Sequence, residues 1–140
     1  MSGAPSRAWL REFERPWLWC ALWLAMIGAV IATCLLPARD LPPTPFSHFD
    51  KIEHFGAYLA MSSYAGMLFA RLRPQALAVA GLIAMGIGLE YAQATMTDSR
   101  SGDAVDALAN SLGALCGLWV ARTPVALWLQ RVDRRISRKY

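Results

Sequence analysis

Residues 17–36 read WLWCALWLAMIGAVIATCLL and contain no charged side chain. As an α-helix, this run of 20 residues can cross a hydrocarbon core of roughly 30 Å. Three more apolar runs follow: Phe55 to Ala70, Ala76 to Met96 with Glu90 as its only charge, and Ala104 to Ala121, which contains Asp106 and Asn110. A water-soluble core does not require blocks of this length. The sequence therefore predicts an integral membrane protein.

The predicted fold class is an all-α integral membrane protein: one domain, residues 1–140, formed by a four-transmembrane-helix bundle and a C-terminal amphipathic helix. The predicted segments are 1–16 (N-terminal segment), 17–36, 52–70, 76–96 and 104–121 (transmembrane helices), 37–50 (Pro-rich outer loop) and 123–138 (basic amphipathic helix). The links after the second and third helices are short, which makes consecutive helices antiparallel neighbours.

The distribution of Lys and Arg predicts the orientation of the bundle. With the N-terminus inside, 11 of the 14 basic residues fall on the inner side and 3 fall outside. All 6 Trp residues lie in the inner half, as in an interfacial belt. Both termini are therefore expected in the cytoplasm. The first apolar run exceeds the about 7–15 residues of a cleaved signal and lacks a clean cleavage site, so we expect a retained anchor.

The C-terminal segment combines an apolar face with many basic residues. Thr123 is a plausible N-cap before Pro124. The apolar positions then recur at helical spacing: Val125, Trp128, Leu129, Val132 and Ile136. This pattern predicts a helix on the inner leaflet, with membrane lipids as partners and no nucleic acid. In the fourth segment, Gly113 and Gly117 form a pattern for close helix packing, within the monomer or at a dimer face.

Polar residues collect where three hydrophobic segments reach the predicted outer face. We call this set the polar cluster: Lys51, His54, Glu90, Gln93, Arg100, Asp103, Asp106 and Asn110. Lys51 and His54 open the second segment, and Glu90 and Gln93 lie near the end of the third. Three members open the fourth segment at helical spacing, and Arg100 lies in the loop before it. Ionisable groups at such positions are costly and indicate a working site or a tight ion-pair network.

Helix capping is the competing interpretation for several acids. Asp103 and Asp106 match a capping box, and Asp50 with Glu53 match a helix start. Lys51 and Glu90 resist this interpretation, because a cation at a helix start and a carboxylate near a helix end both oppose the helix dipole. Glu90 is therefore expected to pair with Arg100, Lys51 or His54.

The cluster resembles the VanZ-like family of small bacterial membrane proteins, which is named for a protein linked to teicoplanin resistance. The resemblance covers about residues 45–120. It is carried by Asp50-Lys51-x-x-His54-Phe55-x-x-Tyr58, Glu90-x-x-Gln93, Arg100 and Asp103-x-x-Asp106-x-x-x-Asn110-x-x-Gly113. It implies a protein of the bacterial inner membrane with an outer-facing site, and it adds Tyr58 to the candidate ligand-binding residues. It implies no established activity.

Several functions are compatible with these residues. The leading hypothesis is a site for a cell-envelope lipid intermediate or a lipoglycopeptide-type molecule, in which Lys51, Arg100 and His54 contact its anionic group. The alternative is a membrane enzyme acting on a lipid-linked phosphate or diphosphate, with His54, Glu90 and Asp106 as candidate catalytic residues. No cofactor is predicted, although the enzyme could hold a divalent cation through Glu90, Asp103 and Asp106. A proton relay is disfavoured because no second polar set crosses the membrane, and a non-catalytic assembly factor is the simplest alternative.

Overall fold

The computed structural model describes residues 8–36, 40, 43, 45–96 and 103–138. These residues form five α-helices: α1 Pro16–Leu35, α2 Phe49–Leu68, α3 Leu72–Met96, α4 Ala104–Gly117 and α5 Trp128–Ser137. Two 3-10 segments, Leu118–Arg122 and Pro124–Leu127, connect α4 to α5. Arg100 and most of the predicted outer loop before residue 45 lie outside the described residues, so the expectations for them stay predictions.

Within the described part of the chain, three helical stretches are long and apolar enough to cross a membrane: Pro16–Leu35, Leu72–Thr95 and Ala104–Arg122. Many large apolar side chains on the helices face outward, including Leu24, Leu77 and Leu108, each more than half exposed. The interior, by contrast, contains polar side chains such as Gln93 and Asn110. A monomeric soluble protein rarely exposes apolar surface on this scale. Both features suggest a membrane protein, as the sequence predicts.

Helix α2 lies at the centre of the molecule. Tyr58, Met61, Ala65 and Leu68 are fully or almost fully buried along it. Its start contacts the start of α4, whereas its end contacts the start of α1, so α2 runs parallel to α4 and antiparallel to α1. Helix α2 is not one of the three apolar stretches, because its first turns contain several charged residues.

Two glycines of α4 allow this helix to approach α2 closely. A Cβ atom at Gly117 would lie 2.6 Å from the carbonyl oxygen of Leu59, and one at Gly113 would collide with the carbonyl oxygen of Phe55. The surface of α4 at Gly113 and Gly117, which the sequence predicts to pack closely against another helix, therefore contacts α2 of the same chain. Its small residues bring the two backbones together, as in membrane helix pairs generally.

Helix α3 starts earlier than predicted, and the predicted segment 104–121 contains a change of helix type. Helix α3 begins at Leu72, before the predicted residue 76, because Pro74 lies in the first turn, where a missing N–H costs no helical hydrogen bond. The side chain of Gln75 then donates to the carbonyl oxygen of Phe69 at 2.8 Å. Helix α4 ends at Gly117, and residues 118–122 continue it as a tighter 3-10 helix.

The C-terminal segment differs from the single helix predicted for residues 123–138. Thr123 makes no side-chain cap; its hydroxyl donates to Val120 O instead, and α5 begins only at Trp128. Leu129 and Asp133 are almost completely buried. The Asp133 carboxylate accepts hydrogen bonds from the backbone N–H of Glu14 and from Nε1 of Trp19. Helix α5 is therefore packed onto the N-terminal region of the chain. The spacing of apolar residues does not reveal this contact.

Candidate functional site

Three helix ends meet at one end of the bundle, which we call the polar end: the start of α2, the end of α3 and the start of α4. Lys51 of α2 bonds to Asp103, which precedes α4, with Nζ 2.6 Å from Oδ2. The backbone N–H of Asp103 donates to Oε2 of Glu90 on α3 at 3.1 Å. These contacts bring together the predicted residues of all three elements, and the end of α1 joins them through Gln93.

Lys51 is surrounded by carboxylates. Its ammonium nitrogen lies 2.6 Å from Asp103 Oδ2, 2.6 Å from Asp106 Oδ1 and 3.0 Å from Asp50 Oδ2. Partial burial alone would lower the pKa of Lys51, but its contacts with Asp103, Asp106 and Asp50 outweigh that effect and raise the pKa above its ordinary value. Lys51 is thus ion-paired with these three acids and makes no ion pair with Glu90, which was one of the predicted pairings.

The capping interpretation is half correct. Asp103 is the N-cap of α4, since its Oδ1 accepts the N–H of Val105 at 2.8 Å. The hydrogen bond from Lys51, together with this backbone bond, lowers the pKa of Asp103. In a capping box the N–H of Asp103 would go to Asp106. It goes to Glu90 instead. Asp106 is therefore not occupied in capping, and it is 8% exposed.

His54 connects α2 to α4. Its Nδ1 lies 3.1 Å from Oδ1 of Asn110, a fully buried amide, and its Nε2 lies 3.8 Å from Oδ2 of Asp106. One donor atom from each of His54, Glu90 and Asp106 lies within 4.8 Å of the others. The described residues thus bring an imidazole and two buried carboxylates from three different helices to one place.

Gln93 and Tyr58 are the two further candidate ligand-binding residues near this group. Gln93 is buried and donates from Nε2 to the carbonyl oxygen of Cys34 at 2.7 Å, which ties α3 to the end of α1. Tyr58 is completely buried, and its hydroxyl has no hydrogen-bond partner among the described residues. A Cβ atom at Gly86 would lie 3.2 Å from this hydroxyl and 3.2 Å from Nδ2 of Asn110, so both side chains converge on the space that the glycine leaves.

The charge balance at the polar end is negative among the described residues. One lysine faces the carboxylates of Asp50, Asp103 and Asp106, and Glu90 adds a fourth. Sequence reasoning treats Asp50 as a helix-start residue, and it misses the contact that Asp50 makes with Lys51. The positions of Asp50 and Lys51 as sequence neighbours could have indicated this contact. A site with this balance favours cations and hydrogen-bond donors over bare anions.

No protein-family model, curated protein or solved structure matches this chain. The resemblance to the VanZ-like family therefore stays an expectation from the motifs at the polar end. What the structure itself supports is a membrane protein with buried, converging polar groups at one end of its helices. Buried ionisable groups in such a setting support the hypothesis of a functional site, because apolar residues would fill the same space at a lower desolvation cost.

Proposed function

We propose that this chain is a VanZ-like protein of the bacterial inner membrane that binds the polar headgroup of a cell-envelope lipid intermediate or a lipoglycopeptide-type molecule. Binding at the polar end would serve envelope homeostasis or glycopeptide resistance. One observation carries the proposal: the imidazole of His54 and the buried carboxylates of Glu90 and Asp106 come from three helices and converge within 4.8 Å. Such convergence at the end of apolar helices suits a ligand with a polar head and an apolar tail.

The proposal includes a fourth membrane crossing and an orientation. Helix α2 has 20 residues, as many as α1, and it lies inside the bundle, so its charged first turn can face the outer surface while its body crosses. The opposite end of the bundle carries the exposed indoles of Trp17, Trp119 and Trp128. Together with the basic residues of α5, they suit the inner interface, which supports an outer position for the polar end.

The charge balance assigns roles to the candidate residues. Asp106, Glu90 and Asn110 are acceptors and match the hydroxyl, amide and amine donors of a sugar or peptide headgroup. Lys51, whose charge is already compensated, holds the acids in place, and Gln93 secures α3 to α1. Arg100 is left to contact a phosphate or carboxylate of the ligand.

Native mass spectrometry of the purified protein tests this proposal. We expect the wild-type chain to retain a lipid of defined mass, and Asp106→Asn and Arg100→Ala to retain at least tenfold less. The matched control is Glu53→Gln, since Glu53 is exposed on the same helix as His54. Equal lipid content in all four proteins would contradict a headgroup site at the polar end.

An enzyme acting on a lipid-linked phosphate or diphosphate is the second candidate. It is favoured by the imidazole of His54, a side chain suited to general acid–base catalysis, whose Nε2 lies 3.8 Å from a buried carboxylate. The same mass spectra separate the two functions. An enzyme converts an added lipid diphosphate to a product of lower mass, whereas a binding protein returns it unchanged, and an assembly factor retains none.

A further inference from the structure

His54, Glu90 and Asp106 form a group with the composition of a metal site. Glu90 is 7% exposed and Asp106 is 8% exposed, so both carboxylates are largely withdrawn from water. One donor atom from each of the three residues lies within 4.8 Å of the others. We propose that these three side chains bind a first-row divalent cation, with Mn²⁺ and Zn²⁺ as the fitting examples. This inference goes beyond lipid binding, because the cation can bind with or without a lipid.

The hydrogen bond to Asn110 orients His54 as a ligand. Oδ1 of Asn110 is an acceptor, so the Nδ1 of His54, 3.1 Å away, carries the proton. In the neutral ring Nε2 then has a lone pair, and it faces Oδ2 of Asp106 at 3.8 Å. A metal ion between these two acceptors would use a lone pair from each. Metal-binding histidines have this arrangement: the second ring nitrogen donates to a fixed oxygen.

Tyr58 provides an independent indication of a ligand. Its side chain is completely buried, and its hydroxyl has no hydrogen-bond partner within the described part of the chain. It lies one helical turn below His54, beside Gly86, which is one turn below Glu90. A buried hydroxyl without a partner is costly. A water molecule bound to the cation would supply the missing partner from the group directly above.

The contacts of Lys51 leave one carboxylate oxygen of Asp106 for a metal ion. Lys51 is the nearest described cation, and it contacts Oδ1 of Asp106, which leaves Oδ2 facing His54. Lys51 is also shared with Asp50 and Asp103. The predicted alternative ligand Asp103 is not in the group, because its two oxygens are bonded to Lys51 and to the N–H of Val105.

The donor set selects the kind of metal. One imidazole nitrogen and two carboxylate oxygens suit Mn²⁺ or Zn²⁺, whereas Mg²⁺ and Ca²⁺ prefer oxygen alone. Three protein ligands leave open positions for water or for a ligand oxygen, as in catalytic sites. Bond lengths of roughly 2.0–2.2 Å require donors about 3–3.5 Å apart, so the three side chains close slightly around the ion.

Electron paramagnetic resonance of added Mn²⁺ tests the proposal on the full chain in detergent, without lipid. We expect one saturable Mn²⁺ per chain, displaced by Zn²⁺ but not by an equal concentration of Ca²⁺. Nitrogen coupling in the pulsed spectrum should disappear in His54→Gln and persist in His48→Gln. Glu90→Gln and Asp106→Asn should each weaken Mn²⁺ binding at least tenfold, whereas the exposed Glu53→Gln should change it less than twofold.

Two results would overturn the proposal. One is wild-type protein that binds no Mn²⁺ saturably at tens of micromolar. The other is a loss of affinity in Glu53→Gln that equals the loss in Glu90→Gln. Mn²⁺ binding by the wild-type protein tests the proposal without any variant. A variant that fails to fold therefore does not leave the proposal untested. Lipid retention is measured separately, so a metal site without a lipid, or a lipid without a metal, can be distinguished.

Discussion

At the scale of single residues, the polar end compensates for two helix-dipole conflicts. Lys51 stands in the first turn of α2, where the dipole disfavours a cation, and three carboxylates offset this. Glu90 stands near the end of α3, where the dipole disfavours an anion, and its Oε2 accepts the N–H of Asp103. In each case a compensating group comes from the start of α4, and at Lys51 it is joined by Asp50 of α2 itself. The two conflicts therefore link three helices and position the acids around His54.

Replacement of Lys51 tests this compensation. We expect Lys51→Met to lower the free energy of unfolding by about 1–3 kcal/mol, because the buried carboxylate of Asp106 loses its cation. The double variant Lys51→Met/Asp106→Asn should recover most of the loss, since the uncompensated charge is gone. Denaturant titration in mixed micelles provides both values. If the double variant is no more stable than the single one, Lys51 does not act through Asp106.

At the scale of helices, the contact between α2 and α4 determines where the polar groups can meet. These helices run parallel, and Gly113 and Gly117 permit backbone contact along their length. His54 and Asn110 are opposite each other only because the two axes lie this close. A hydrogen bond from Ser62 to the carbonyl oxygen of Ala114 holds the same pair farther along. Gly113 and Gly117, about one and two helical turns after Asn110, thus help to hold the site together.

Glycine substitution tests this contact. We expect Gly113→Ala to destabilise the protein by about 1–3 kcal/mol, because the new methyl group meets the carbonyl oxygen of Phe55. Gly81→Ala in α3 is the matched control: a Cβ atom there meets nothing within 4 Å, and alanine is the better helix former. Both stabilities come from the same denaturant titration. Equal effects of the two substitutions would show that α2 and α4 do not depend on close approach.

At the scale of the whole molecule, the end opposite the polar end is secured by contacts distant in sequence. Asp133 of α5 accepts hydrogen bonds from Glu14 and Trp19. The segment before α1 pairs with the end of α2, where the N–H of Arg11 donates to Leu68 O and the N–H of Ala70 to Trp9 O. These bonds hold both terminal regions against the bundle. They leave the indoles of Trp9 and Trp128 exposed.

Removal of one indole N–H tests this arrangement. We expect Trp19→Phe to destabilise the protein by about 1–3 kcal/mol, because the buried carboxylate of Asp133 loses a donor. Trypsin should also cleave after the arginines of α5 several times faster. Trp17→Phe is the control on the same helix, since Trp17 is 71% exposed. A cleavage rate unchanged in Trp19→Phe, relative to Trp17→Phe, would mean that Asp133 does not hold α5.

Much of this architecture could be predicted from local patterns. Length and apolarity alone identify the stretches that can cross a membrane, and helical spacing alone places Asp103, Asp106 and Asn110 on one face of α4. The break between residues 117 and 128 could not be predicted, because periodicity continues through the 3-10 turns. The burial of Asp133 could not be predicted either, since a single acid among arginines on an amphipathic helix looks solvated.

The sequence by itself determined the helical membrane class and the convergence of three helix ends, because both follow from hydrophobic runs and short links. Only the tertiary structure decided the partners. It joined Lys51 to three acids, directed the N–H of Asp103 to Glu90 rather than to Asp106, and left His54 facing two buried carboxylates. These choices depend on distances of a few ångströms between helices, which the close approach of α2 and α4 sets and which no spacing within one helix encodes.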